Sequence, residues 1–166
     1  PSRGLGDVYK RQLFLIFCVI GFTFRTYSQP FLLLLLIPFS LTTVAWGHLV
    51  HGFPVNVISL LGVIALVGIL VNDGLVLISK FNSNLRAGKS YDESLFGAGK
   101  ERFRAIFLTS ITTMAGLAPI IFEKSFQAQL LKPMAISIAY GIGYATFLTL
   151  ILLPILLSLT LSLIHI

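Results

Sequence analysis

Residues 57–79 read VISLLGVIALVGILVNDGLVLIS. The run is long enough to cross a bilayer, which takes about 20 apolar residues. Its only charged residue is Asp73, next to Asn72. A carboxylate near the bilayer centre costs about 2.5–3.5 kcal/mol on insertion scales, so a membrane aspartate is read first as a functional group.

The rest of the chain agrees with a membrane reading. Its 166 residues are 56% hydrophobic and 11% charged, against roughly 25% charged in soluble domains. The mean hydropathy is +0.94. Too few polar side chains are present to cover a soluble surface. The net charge of +6 lies mostly between apolar segments, which argues against a nucleic-acid partner. The single cysteine, Cys18, excludes an internal disulfide and a cysteine metal cluster.

The expected fold is an all-α polytopic helix bundle with four full spans and one truncated span, because a spanning backbone must satisfy its own hydrogen bonds. The truncated span is 13–24. The full spans are expected at 31–49, 57–79, 105–122 and 134–159. Pro30 suits a first helical turn. Residues 1–12 (PSRGLGDVYKRQ) and 161–166 (LSLIHI) resemble translated linker sequence. They are set apart from the bundle at 13–160, and the chain is expected to be a fragment of a longer gene product.

Residues 80–104 hold six Lys/Arg and three acids. Short loops rich in Lys and Arg stay in the cytoplasm. This places loop 80–104, the Arg25 loop and the C-terminus on the cytoplasmic side, with 50–56 and 123–133 outside. Gly88 is a plausible helix stop. Ser90 and Glu93 match a capping box opening a short surface helix. His48 and His51, near an interface, are expected to be solvated and are given no role.

Helical spacing puts Ala65, Gly68 and Asn72 on one stripe, with Ser79 seven residues further on. Small residues there let another helix approach closely. Asn72 is therefore expected to face protein, and Asp73 lies about 100° around. In the next span Thr109, Thr112, Thr113 and Gly116 share a face, with Ser110 adjacent. These hydroxyls are candidate partners for Asn72 and Asp73. A carboxyl that is neutral in one state and ionised in another is what a proton relay needs. The alternatives are helix–helix glue for Asn72, a structural carboxyl for Asp73, and plain packing polarity for the threonines. No nucleophile elbow, phosphate-binding glycine loop or metal-ligand spacing is present, so an enzyme is not expected.

The strings FRTYSQP, IPF, GH, LLGVIALVGILVNDGLVLISKFN, RFRAIFLTSITTMAGLAPII and QAQLLKPMAISIAYGIGYATFLTLILLP, in this order, resemble resistance–nodulation–division (RND) efflux permeases. The resemblance covers the C-terminal membrane half, from about Leu13 to Leu159. It implies a twelve-helix membrane domain in two pseudo-repeats, a periplasmic porter domain and a homotrimer in the bacterial inner membrane. It further implies a periplasmic adaptor, an outer-membrane channel, and small-molecule (drug) export by proton antiport. Protons are the coupling ion and no cofactor is implied. Family members often carry lysine at Asn72, while a subgroup carries Asn-Asp as here. Thr109 matches a relay threonine and Arg102 an arginine at the cytoplasmic mouth. Protein-export accessory subunits of the SecD/SecF type share the architecture and an Asn-Asp motif. A non-transporting membrane scaffold is a third reading.

Overall fold

A computed structural model describes residues 2–24 and 28–164. Arg25, which helped orient the first loop, lies outside them. Every regular element among the described residues is helical: α1 (Ser2–Phe24), α2 (Ser28–His51), α3 (Val57–Arg86), α4 (Tyr91–Phe122) and α5 (Phe126–Phe147). A π-helical segment (Leu148–Leu152) then runs into α6 (Leu153–Ile164). Four stretches are long and apolar enough to cross a membrane: α2, α3, α4 and the continuous α5–α6 rod.

All expected spans are present, but the helices outrun them. Hydropathy reports where lipid begins, whereas a helix ends where its backbone is diverted. α3 passes Ser79 and stops only at Gly88, which adopts a positive φ of 83°. There the Gly88 N–H donates to Leu85 O and the Lys89 N–H to Asn84 O, the paired bonds of a Schellman stop. The Ser90–Glu93 capping box forms as expected. It opens α4 itself, so the separate surface helix is corrected to the first turns of one 32-residue helix. Likewise the loop expected over 123–133 shrinks, because Ser125 caps a helix from Phe126. α1 shows no break at Leu13. Gln12, at the end of the segment read as linker, donates to Ile64 O (3.2 Å).

α5 is the hub, packing against α2, α3 and α4. Leu33, Leu36, Leu66, Leu70, Ile136 and Ile142 are almost wholly buried between these helices. Lipid is as apolar as leucine, so close fit rather than water exclusion holds such helices together. α3 and α5 fit closely. A Cβ on Gly62 would sit 2.7 Å from the carbonyl oxygen of Met134, and one on Gly141 would sit 2.2 Å from a Leu66 methyl.

At the end opposite Lys80, His48 is buried, contrary to the solvated role expected. Its Nε2 lies 2.9 Å from Ser137 Oγ and its Nδ1 3.2 Å from Phe53 O. His51 Nε2 lies 3.0 Å from the Tyr140 hydroxyl. The partners are on α5, 89 residues away, which no local reading finds.

Candidate functional site

The buried face of α3 is the row containing Leu66, Leu70, Leu77 and Phe81. Asn72 lies opposite it and is exposed, together with Ala65, Gly68 and Ser79. The four share one stripe, as the spacing requires. Within the described chain this stripe points outward, so the protein expected to cover it would come from outside the described residues. Gly68 and Asn72 line a groove of about 570 Å³ beside Gln12 and Ile16 of α1. A Cβ on Gly68 or Gly116 would meet nothing within 4 Å. Among the described residues the glycines that meet a neighbouring helix closely are Gly47, Gly62, Gly74 and Gly141.

Asp73 sits at the edge of the buried face and is half-buried. Lys80 lies seven residues further along the same stripe and pairs with Glu101 of α4 at 2.7 Å. That ion pair turns this flank of α3 toward α4. The two helices run antiparallel, so seven residues before Lys80 lies Asp73 and seven after Glu101 lies Leu108, with Thr109 next along α4. Asp73 is thus about 10 Å from the Lys80 level, at 1.5 Å per residue, and shares its depth with the start of the threonine row.

The carboxyl and the threonines are not hydrogen-bonded to each other. Thr109 Oγ1 donates to its own helix, with Ala105 O at 3.0 Å and Ile106 O at 2.9 Å. Thr112 and Thr113 likewise bond to carbonyls three and four residues back. Among the described residues Asp73 and Asn72 make no side-chain hydrogen bond or ion pair. Arg102 is exposed, two turns before Thr109 on the same side of α4 and next to the Lys80–Glu101 pair. The arrangement is an open flank between α3 and α4. It carries a carboxyl at membrane depth, hydroxyls that can turn from their own carbonyls to accept or donate, and a guanidinium toward the basic end.

Two polar features differ from the sequence reading: the partner of Ser110, and Thr149. Ser110, buried beside the threonine row, is hydrogen-bonded across the α4–α5 interface to Thr146. Thr149, one turn on and inside the π-segment, has a fully buried hydroxyl with no partner among the described residues. The signal for Ser110 was available, since it sits 100° from Thr109 toward the α5 side. Thr149 had none, because the π-turn that places it has no sequence signature.

Several proteins resemble this chain. Swarming motility protein SwrC of Bacillus subtilis is 29% identical over 152 residues, covering 91% of this chain and 14% of the relative. Cobalt-zinc-cadmium resistance protein CzcA of Cupriavidus metallidurans is 30% identical over 144 residues, covering 87% and 14%. Multidrug resistance protein MdtC of Erwinia amylovora is 25% identical over 141 residues, covering 84% and 14%. The crystal structure of a heavy metal efflux pump superposes with a TM-score of 0.85 at 27% identity, covering 95% of this chain and 16% of that one. The chain therefore spans about one seventh of the length of the relatives it matches. With residues 6–160 matching the AcrB/AcrD/AcrF family, this chain belongs to that family of RND efflux permeases.

Proposed function

We propose that this chain is the C-terminal membrane half of a proton-motive-force-driven efflux transporter, and that Asp73 takes part in coupling proton flow to export. The observation that carries the reading is Asp73 itself: a half-buried carboxyl at membrane depth with no bonded partner among the described residues. Such a group is costly, and the open flank leaves it room to gain and lose a proton. Thr109 lies at the Asp73 level, Thr113 extends the polar path one turn inward and Arg102 extends it toward the basic end, and Asn72 faces outward where the remaining half of the transporter would pack. The reading places the protein in the bacterial inner membrane as a homotrimer. It works there with a periplasmic porter domain, an adaptor and an outer-membrane channel, and loop 80–104 lies in the cytoplasm.

Asp73→Asn in the complete transporter tests this. Export is expected to fall at least tenfold at unchanged expression, with Thr109→Val giving a smaller loss. Full export by the Asn variant would leave Asp73 a structural group only.

The exported substrate is proposed to be a drug-like or amphiphilic small molecule. A second reading, metal-cation export, is supported by the likeness to the heavy metal efflux pump. Growth of cells carrying the complete transporter in zinc and cobalt, against growth in lipophilic drugs, separates the two.

A further inference from the structure

A groove of about 860 Å³ opens at the Lys80 end of the bundle, away from Asp73. Bound small molecules occupy roughly 300–1,000 Å³. One wall is the first turns of α4, with Phe96 and Phe103. The other is the π-segment and α6, with Ile151 and Ile155. Phe96 is 77% exposed and Ile155 49%, so the groove is open along its side. It follows α4 from Asp92 to Phe103, about 16 Å at 1.5 Å per residue. Its Asp92 end lies with segment 80–104 on the proposed cytoplasmic side and its Phe103 end meets the lipid boundary expected at 105, so a lipid seated here has its headgroup in the groove and its acyl chain leading past Phe103.

The polar side chains bordering it are Asp92, Lys100 and Ser158. Lys100 makes no ion pair or hydrogen bond among the described residues, while the neighbouring Glu101 is already held by Lys80. That pairing leaves segment 80–104 with five cations against Asp92 and Glu93. Asp92 does not neutralise Lys100. It is eight residues away, about 12 Å along the helix, beyond the screening length of about 8 Å in physiological salt, and it sits where the positive N-terminal end of α4 favours an acid. Lys100 has an apolar stem that can lie along the groove while its ammonium reaches toward the headgroups.

We propose that this groove is a binding site for an anionic phospholipid, with the phosphate on Lys100 and an acyl chain leading from there between Phe103 and Ile151 into the membrane. Basic pockets beside membrane helices recognise such headgroups through the same charge term. The site is separate from the proposed proton path and stands or falls without it.

The chain purified in mild detergent is mixed with phosphatidylglycerol, phosphatidylethanolamine or phosphatidylcholine, and retained lipid is counted by native mass spectrometry. Phosphatidylglycerol is expected to be retained preferentially. Lys100→Glu is expected to reduce its retention at least about fivefold with an unchanged helical circular dichroism spectrum. Lys124→Glu, at the opposite end, is expected to leave it unchanged. If the Glu variant does not fold, Lys100→Gln replaces it. A photoactivatable acyl chain on phosphatidylglycerol should label residues 103–107 and 150–155. Equal retention of the three lipids, a Lys100 variant that behaves like the Lys124 variant, or labelling confined to other helices would overturn the site. The last outcome would assign the groove to another segment of the longer protein or to a second copy.

Discussion

His48 of α2 and Ser137 of α5 clasp the end of the bundle opposite Lys80, with 2.9 Å between Nε2 and Oγ. The other ring nitrogen faces the Phe53 carbonyl at 3.2 Å. A carbonyl only accepts, so Nδ1 carries a proton. Ser137 has a single proton, which it donates to Pro133 O at 3.0 Å or turns toward the ring. One imidazole thereby ties together two spans and the turn that follows α2.

His48→Ala removes both bonds and leaves buried polar atoms unpaired. We expect a loss of about 1–3 kcal/mol, measured by unfolding in mixed micelles. Trp46→Ala, at a position 67% exposed, should change stability by less than about 0.5 kcal/mol. Equal effects of the two substitutions would remove the clasp.

Glycines separate in the same assay. Gly62→Ala drives a methyl group against the Met134 backbone, and overpacking of this kind costs about 1–3 kcal/mol. Gly68→Ala enters open space and should be neutral or stabilising in the isolated chain, since alanine is the better helix former by about 1 kcal/mol. Reversal of that order would mean that α3 is turned differently about its axis.

Thr149→Val replaces a hydroxyl that has no partner among the described residues with a group of the same shape. Stability should hold or rise, because an unpaired buried hydroxyl carries a desolvation cost. Ser110→Ala breaks a bonded pair and should cost about 0.6 kcal/mol, the average for hydrogen bonds between membrane helices. A clear loss with Thr149→Val would point to a bound water at that site.

The proposed orientation is checked at Ser83, which is exposed beyond the Lys80 end of α3. With Cys18 replaced by alanine, Ser83→Cys should resist a membrane-impermeant thiol reagent added to intact cells and react after permeabilisation. Ready labelling of intact cells would invert the topology.

The spans were legible because bilayer thickness imposes a length on any uncharged run. Their ends were not, because charged residues leave lipid without leaving the helix. Ser90 and Glu93 announced a helix start, yet nothing in AGKERFR says that the same helix continues to Phe122. The stripe of Ala65, Gly68 and Asn72 followed from helical spacing alone. Which way it faces depends on how α3 is rotated, and that is set by Gly62 and Leu66 against α5. His48 was misjudged because its partners are remote in sequence. The protein-export and scaffold readings gave way to the family match over residues 6–160.

The π-segment over Leu148–Leu152 has a consequence for tolerated changes in chain length. A π-turn accommodates one extra residue by widening, and its Leu153 N–H reaches back to Leu148 O. Deleting a single residue there would let the rod revert to ordinary α-helix with little change in length. Because the widened turn absorbs the extra residue's rotation of about 100°, everything downstream would keep its facing. Leu153 and Leu157, both buried, would stay in the core, and Ile155 would keep its place in the groove beside Phe96. A lost codon in this stretch is tolerated, whereas the same loss from the regular turns of α5 would turn Leu153 and Leu157 out of the core.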